Sequence, residues 1–525
     1  MEKKEKKGKD IEKEKDYKAR KLSVIVVVIF FIIAIIFTIC LLVIRTETTK
    51  PGNIKASTKK YESEYKIDKN SLSDFDLMFL KYEKKTVNKI YSPLSIKYAL
   101  GMLYEATDGD SRGQIEAVIG DYNFKKYSNS KHISFVNTMF VRDDYSKYIR
   151  NSYINSIKDK YDAEVKYDSF ENAKSMNKWI SNNTFGLINN ALDDNTVKNE
   201  NYELINALAI DMEWNKKIQA TYEGGKKTVA YGATYKHESY SHYIPIYGSY
   251  KQTMKFKDKD VDSLEIGADA NKYNIVEKLG ENNIKNTLSE AYDNYVKEGQ
   301  VCEGDENKDK VINKFIKELK SNYNRLDYST DFYFLDDDDV KVFAKDLKKY
   351  DGRTLQYVSI MPKNKALEHF IYDTNVDEIN SIIKDMKDLS SNSFEDGVVT
   401  RIEGNIPVFN YDYELSLEKD LKHIGIGNVF DQQKASLNRL LKESQSQYIS
   451  SAVHKANIDF SNDGIKAAAV TSFGGAGAAG GCFDYFFDVP VKVINLDFDQ
   501  PYMYLIRDKD TNEVWFIGAV FDPSK

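Results

Sequence analysis

The chain has 525 residues, 42% hydrophobic and 13% aromatic with only eight prolines, so it is no disordered polypeptide and can bury a large core. Its net charge is −6; residues 1–21 carry ten Lys/Arg against six Asp/Glu, a net +4, which leaves about −10 on the remainder. A mildly acidic body argues against a nucleic-acid binder, which needs a basic face. The richness in Lys, Ile, Asn and Tyr points to an AT-rich bacterial genome rather than to a function.

Residues 22–44, LSVIVVVIFFIIAIIFTICLLVI, are uncharged and mostly branched apolar. At about 1.5 Å rise per residue they cover the ~30 Å hydrocarbon core. The run is too long for a cleaved signal peptide and exits through Ile44-Arg45 without a small-residue site. A lipoprotein reading of Cys40 fails because Ile39 is bulky. Residues 1–21 hold twice the basic residues of the flank Arg45–Lys60, so the positive-inside rule keeps the N-terminus cytoplasmic and exports the rest. The expected order is a cytoplasmic tail (1–21), a transmembrane signal anchor (22–44), a polar stalk (45–65) and a folded body (66–525).

Within the body, Leu72–Tyr82 has helical spacing with Ser73 or Asp74 as cap, and Ser95–Ala106 begins a second helix after Ser92-Pro93. Ile133–Val141 alternates as a strand, and Leu204–Ile210 suits a buried one. Residues 256–330 are charged and Gly/Asn-punctuated, with helices expected near 283–297 and 311–322. Strand-like runs return after 331, as in Leu355–Ile360, and short apolar runs fill the chain from Asp396 onward. The pattern predicts an α+β fold with much antiparallel sheet.

The three cysteines, Cys40, Cys302 and Cys482, form no CxxC and predict no disulfide framework. No HExxH or Cys/His cluster occurs, so no metal site and no cofactor are expected. Asp305–Asp309 has an EF-hand look but lacks the loop glycine and closing glutamate; it reads as an acidic surface loop.

Residues 464–481, GIKAAAVTSFGGAGAAGG, hold one lysine and no other charge. Gly475–Gly480 matches GxGxxG, yet Pro490 and a cluster of aromatics follow where a dinucleotide-binding fold needs a helix. In 464–473, Ile465, Ala467, Ala469, Thr471 and Phe473 fall on one strand face, and Lys466, Ala468, Val470 and Ser472 on the other. A strand with so many small residues can enter a sheet with little steric conflict.

What flanks this run resembles the serpins, a family of serine protease inhibitors. Ser451–Ala469 is similar to the strand and hinge that open the family's reactive loop, and Asp499–Asp508 and Trp515–Pro523 to its last strands. Upstream, Asn88–Ile96, Trp179–Ile188 and Leu204–Ala207 with Trp214 resemble three further blocks in the family's order. The resemblance covers 66–230 and 331–525, and it implies a bacterial-type, membrane-anchored member with a large central sheet, further sheets, surrounding helices and an exposed reactive-centre loop. It implies no catalytic residues of the protein's own. A target serine protease, or alternatively a cysteine protease, cuts the loop, and the loop's N-terminal half inserts as a new strand.

Carried over singly, Gly464, Ile465, Lys466, Ala467, Ala468 and Ala469 form the hinge. Ser92, Ser95, Asn206 and His454 form the shutter beneath the sheet opening, and Trp214 the breach. The implied cut, Ala478–Ala479, suits an elastase- or subtilisin-like enzyme; a cut beside Phe483 or Tyr485 suits a chymotrypsin-like one. From Gly464 to Ala478, insertion moves a captured protease by about 45 Å. Ile465 stands where the family has Thr or Ser, Lys466 where it has Glu, and Gly474, Gly475 and Gly477 would weaken the new strand. Cys482 is either inert or a redox-sensitive handle. The 256–330 insertion has no family counterpart and is either a solvated excursion or a docking element for an unknown partner. The competing readings are a non-inhibitory surface binding or structural protein on the same fold, and a nucleotide-binding enzyme resting on GxGxxG alone.

Overall fold

The computed structural model describes residues 54–525 apart from 68, 84–85, 216–226, 229–242, 245–251, 272–274, 300, 323–331, 389–393, 396–397, 443–446, 451, 462–463, 466–482, 484, 486 and 488–489. The tail, the expected anchor at 22–44 and the expected reactive bond lie outside the described residues. Among the described residues no helix is long and apolar enough to cross a membrane.

The elements that build the site are, in chain order, helix α1 (Pro93–Ala106) and strands β1 (Ile133–Arg142), β2 (Glu164–Asp168), β3 (Tyr202–Ile210), β4 (Met212–Glu213), β5 (Gln252–Phe256) and β6 (Lys259–Asn271). Helices α2 (Glu281–Lys297) and α3 (Lys308–Asn322) follow, then β7 (Val399–Pro407), β8 (Phe409–Ser416), β9 (Val453–Phe460), β10 (Gly464–Ile465) and β11 (Val491–Asn495).

Three sheets organise the body. The seven-stranded antiparallel sheet runs from Lys89–Tyr91 at one edge through Val514–Val520, Tyr502–Asp508, Leu355–Pro362, Val340–Asp346 and Phe332–Asp336 to Lys387–Asp388. Its central strand LQYVSIMP is buried at every residue, which accounts for an unbroken apolar run in place of alternation. A second sheet has the order β11-β7-β6-β5, with β11 parallel to β7. The third is assembled from two ladders, β2-β1-β3 and β8-β9-β10-β4, which share one continuous strand because only Asp211 separates β3 from β4.

Helix α1 closes the floor under this third sheet. Pro93 opens it and the Ser92 hydroxyl accepts from the Ser95 amide, a proline-led N-cap. A methyl on Gly101 would meet the Tyr161 and Phe124 rings at 2.6 and 2.7 Å, so only glycine lets those rings lie on the helix. Inside the same core, Lys97 pairs with Asp76 at 2.7 Å with neither side chain exposed. Burial pushes the Asp76 carboxyl up, against the downward pull of Lys97 and of the Ser73 amide and hydroxyl.

Three expectations change. The stalk ends early: the Lys55 amide donates to Asp108 at 2.6 Å and the Thr58 amide to Asp110 at 2.8 Å, so Ile54–Tyr65 runs against the body. Residues 259–271, within the expected 256–330 insertion, are no solvated excursion: they form β6, laddered with β5 and β7. Val261, Leu264 and Ile266 are buried, but charges on both flanks disguise the strand pattern. Finally, Cys302 is disulfide-bonded, where the sequence predicts no disulfide framework. Bridged cysteines far apart in sequence leave no spacing signal when each stands alone.

Candidate functional site

Strand β10 is the key to the third sheet. Gly464 pairs with Glu213 and Ile465 with Met212 on one side, while Ile465 pairs with Phe460 on the other, both antiparallel. Strands β4 and β9 therefore run parallel, with β10 wedged between them at one end. Over the rest of their length β3 pairs with β1 and β9 with β8, and no ladder joins β3 to β9 among the described residues. The space between them is a cleft of about 630 Å³ lined by Leu204, Asn206 and Leu208 on one wall and Ala452, His454 and Ala456 on the other.

The two described residues of the expected hinge, Gly464 and Ile465, are tightly held. Ile465 is 2% exposed and joins the main core, so a β-branched apolar residue suits this position. Gly464 is sterically required: a Cβ there would lie 2.1 Å from the Met212 carbonyl oxygen and 2.7 Å from Glu213 Cα. The Ser461 amide donates to the Gly464 carbonyl at 3.1 Å, closing the turn. Trp214, fully buried, donates from Nε1 to the Ser461 carbonyl at 2.9 Å and sets its ring against Phe460. The other expected hinge residues, Lys466 and Ala467 to Ala469, and the expected bond Ala478–Ala479 lie outside the described residues.

Under the cleft the four expected shutter residues come together. The Ser92 amide donates to His454 Nε2 at 2.9 Å, the Ser95 amide to Ser92 Oγ at 3.1 Å, and the Ser95 hydroxyl to Asn206 Oδ1. The chain continues through residues that sequence reasoning missed. Asn206 Nδ2 donates to Asn137 Oδ1 at 2.6 Å, and Asn137 Nδ2 to the Tyr161 carbonyl at 2.8 Å. Asn137 and Asn206 are direct cross-strand partners. A lone asparagine in each of two apolar strands was the available signal, since a buried polar group needs a partner.

The histidine is neutral here. Accepting at Nε2 requires a lone pair on that nitrogen, and desolvation lowers its pKa to about 4. It bonds a backbone amide rather than a serine hydroxyl, so the cluster is not arranged as a nucleophile and base. On β3 at the far end of the cleft, burial and the neighbouring Glu200 push the Glu203 carboxyl up to about 8. The geometry is an elongated cleft between two parallel strands, lined by both apolar and polar side chains, with Asn206 and His454 facing each other across it.

A family model described as Serpin (serine protease inhibitor) matches residues 72–224 and 306–523, well over half of the chain. Serine protease inhibitor 2.1 of Rattus norvegicus is 32% identical over 120 residues, 23% of this chain and 50% of that protein. Leukocyte elastase inhibitor A of Mus musculus is 26% identical over 174 residues, 33% of this chain and 42% of that protein. The aligned segments thus span about half or less of the curated relatives' lengths.

In structure the chain is similar to the thermophilic serpin tengpin in its native state, with a TM-score of 0.55 and 19% identity over 89% of this chain and 97% of that one. It is also similar to thyroxine-binding globulin in complex with thyroxine, with a TM-score of 0.53 and 15% identity over 86% and 98%. These likenesses carry the fold. A parallel strand pair held apart, a short strand seeded at its mouth, and a family match over both halves of the chain have one explanation: this protein belongs to the serpin family.

Proposed function

We propose that the protein is a membrane-anchored, outward-facing inhibitor of serine proteases that traps its target by cleavage and insertion of residues 464–478. The observation that carries this is β10, already laddered on both sides at the mouth of the cleft. Continuing its register down β3 sets Lys466 opposite Asp211, Thr471 opposite Asn206 and Gly475 opposite Tyr202. Continuing it along β9 sets Lys466 opposite Asp459, Thr471 opposite His454 and Ser472 opposite Val453.

Three departures from the family pattern then acquire reasons. Ile465 fills a core position. Lys466 enters between two aspartates, one on each flanking strand. Gly474 and Gly475 fall past the end of β9 and Gly477 past both strands, so their backbone entropy costs little within the two-sided ladder. From Ile465 to Gly475 the new strand is about 33 Å long.

The bait Ala478–Ala479 suits an elastase- or subtilisin-like enzyme, in keeping with the name of the mouse relative. Residues 22–44 serve as the anchor, with the +4 tail inside, and the composition fits a bacterial-type member. The test incubates full-length protein in detergent with elastase-, subtilisin-, chymotrypsin- and trypsin-type proteases. SDS-resistant complexes are expected with the first two. Cleavage with neither a complex nor a gain in thermal stability overturns inhibition and leaves the non-inhibitory surface-binding reading. On intact cells, added protease should reach the body; a fully protected body refutes the orientation.

A further inference from the structure

Beyond the expected bond, the loop is docked on the insertion. Helices α2 and α3 make a small core of their own from Ile284, Leu288, Ile312, Phe315, Ile316 and Leu319, and its seventh buried member is Phe487 from the loop. The Phe483 ring packs on Tyr292, Tyr295 and Phe315 at centroid distances of 5.4, 5.6 and 6.0 Å. Its amide donates to Asp305 Oδ2 at 2.9 Å, and the Tyr295 hydroxyl reaches the same oxygen at 3.3 Å. The Cys302 amide donates to the Tyr295 hydroxyl oxygen at 2.7 Å. Asp305–Asp309, which resembled an EF-hand, thus begins with the carboxylate that receives the loop.

Cys302 is disulfide-bonded and sits in this same turn. The chain offers it two partners, Cys40 in the apolar run and Cys482, immediately before Phe483. We infer that Cys302 is bonded to Cys482, and that the insertion is a covalent clamp holding the C-terminal side of the reactive loop to the body. Forming the bond takes two electrons and two protons from the two thiols, which reduce a disulfide-bearing oxidant of the oxidising extracellular compartment. A dithiol reverses it, becoming a cyclic disulfide itself.

The clamp gives the bait two fixed ends, Ile465 in the sheet and Cys482 on the insertion. A cut between them frees the N-terminal arm to enter the cleft, while the C-terminal fragment stays covalently attached. The bond itself does not depend on the inhibitory reading; only the fate of the inserted arm rests on it.

The test cuts full-length protein in detergent with an elastase-type protease and measures its mass under denaturing conditions. Without reductant the C-terminal fragment should stay attached, both to free cleaved protein at the intact mass plus one water and to trapped protein at the summed mass of chain and protease; dithiothreitol should release it from both. Cys302→Ser and Cys482→Ser should each release the C-terminal fragment without reductant, with circular dichroism unchanged. Separation of the wild-type fragments without reductant overturns the clamp, as does a peptide map linking Cys302 to Cys40. Failure to trap a protease would refute inhibition while leaving this mass readout intact.

Discussion

If the proposed trapping by loop insertion operates, Gly464→Ala should turn the protein from an inhibitor into a substrate. The added methyl would lie 2.1 Å from the Met212 carbonyl oxygen, 2.7 Å from Glu213 Cα and 2.9 Å from the Met212 carbonyl carbon. All three are backbone atoms, so no rotamer change relieves the contact. Strands β4 and β10 must part by roughly 1 Å to reach ordinary van der Waals distance. That movement breaks the pairs Gly464–Glu213 and Ile465–Met212 and starts to pull Ile465 from the core.

Overpacking of this kind costs about 1–3 kcal/mol. If the cost falls on entry of the loop into the cleft, insertion slows roughly 5- to 150-fold. The assay follows tryptophan fluorescence after loop cleavage, since Trp214 holds Ser461 beside the hinge, and quantifies SDS-resistant complex per mole of inhibitor. Gly427→Ala is the control, because its Cβ would meet only Lys422 Cγ at 4.0 Å. Equal fluorescence rates, equal complex yields and an equal denaturant midpoint for Gly464→Ala and wild type would refute the steric argument.

Three further outcomes are expected. Lys466→Glu should slow insertion by about tenfold by bringing a like charge between Asp211 and Asp459, and Asp459→Asn should restore part of the rate; a rate unchanged by Lys466→Glu sinks the register. Because the folded pKa of His454, about 4, lies below its unfolded value near 6.5, its contribution is full above pH 6.5 and is lost as pH falls toward 4. The loss should reach about 1–2 kcal/mol at pH 5. Glu203, raised to about 8, has the opposite slope between about pH 4.5 and 8, so the measurement is the difference in denaturant midpoint between wild type and His454→Gln, and a difference constant with pH contradicts the assignment. Lys97→Met leaves the buried Asp76 carboxylate uncompensated and should cost about 3–5 kcal/mol, read by denaturant unfolding; Lys97→Met with Asp76→Leu should recover most of it.

The helices and strands around the site follow local rules, and the sequence alone reaches them. Ser73 and the Ser92-Pro93 step mark helix starts that the structure places at Asp74 and Pro93. The run Leu204–Ile210 reads as a buried strand; it is a strand, extended to Tyr202, and is buried from Ala207 onward. The resemblance singled out Ser92, Ser95, Asn206 and His454 through blocks in the family's order, and the structure brings these four residues into one hydrogen-bonded chain. Periodicity, caps and ordered motifs are encoded within a few residues of one another, so a linear reading retains them.

What joins distant segments was not legible. The parting of β3 from β9, the asparagine pair Asn137–Asn206 and the docking of Phe483 on α2 and α3 are contacts between residues dozens to hundreds of positions apart. The β6 strand went unread within the 256–330 stretch because its partners β5 and β7 supply the burial that its own charges conceal. Cys302 looked solitary for the same reason. The sequence by itself determined which segment could become a strand: small residues behind a glycine, alternating on two faces. Tertiary structure decided where that strand could go, because a parallel pair joined by β10 at one end leaves a cleft whose register no local pattern records.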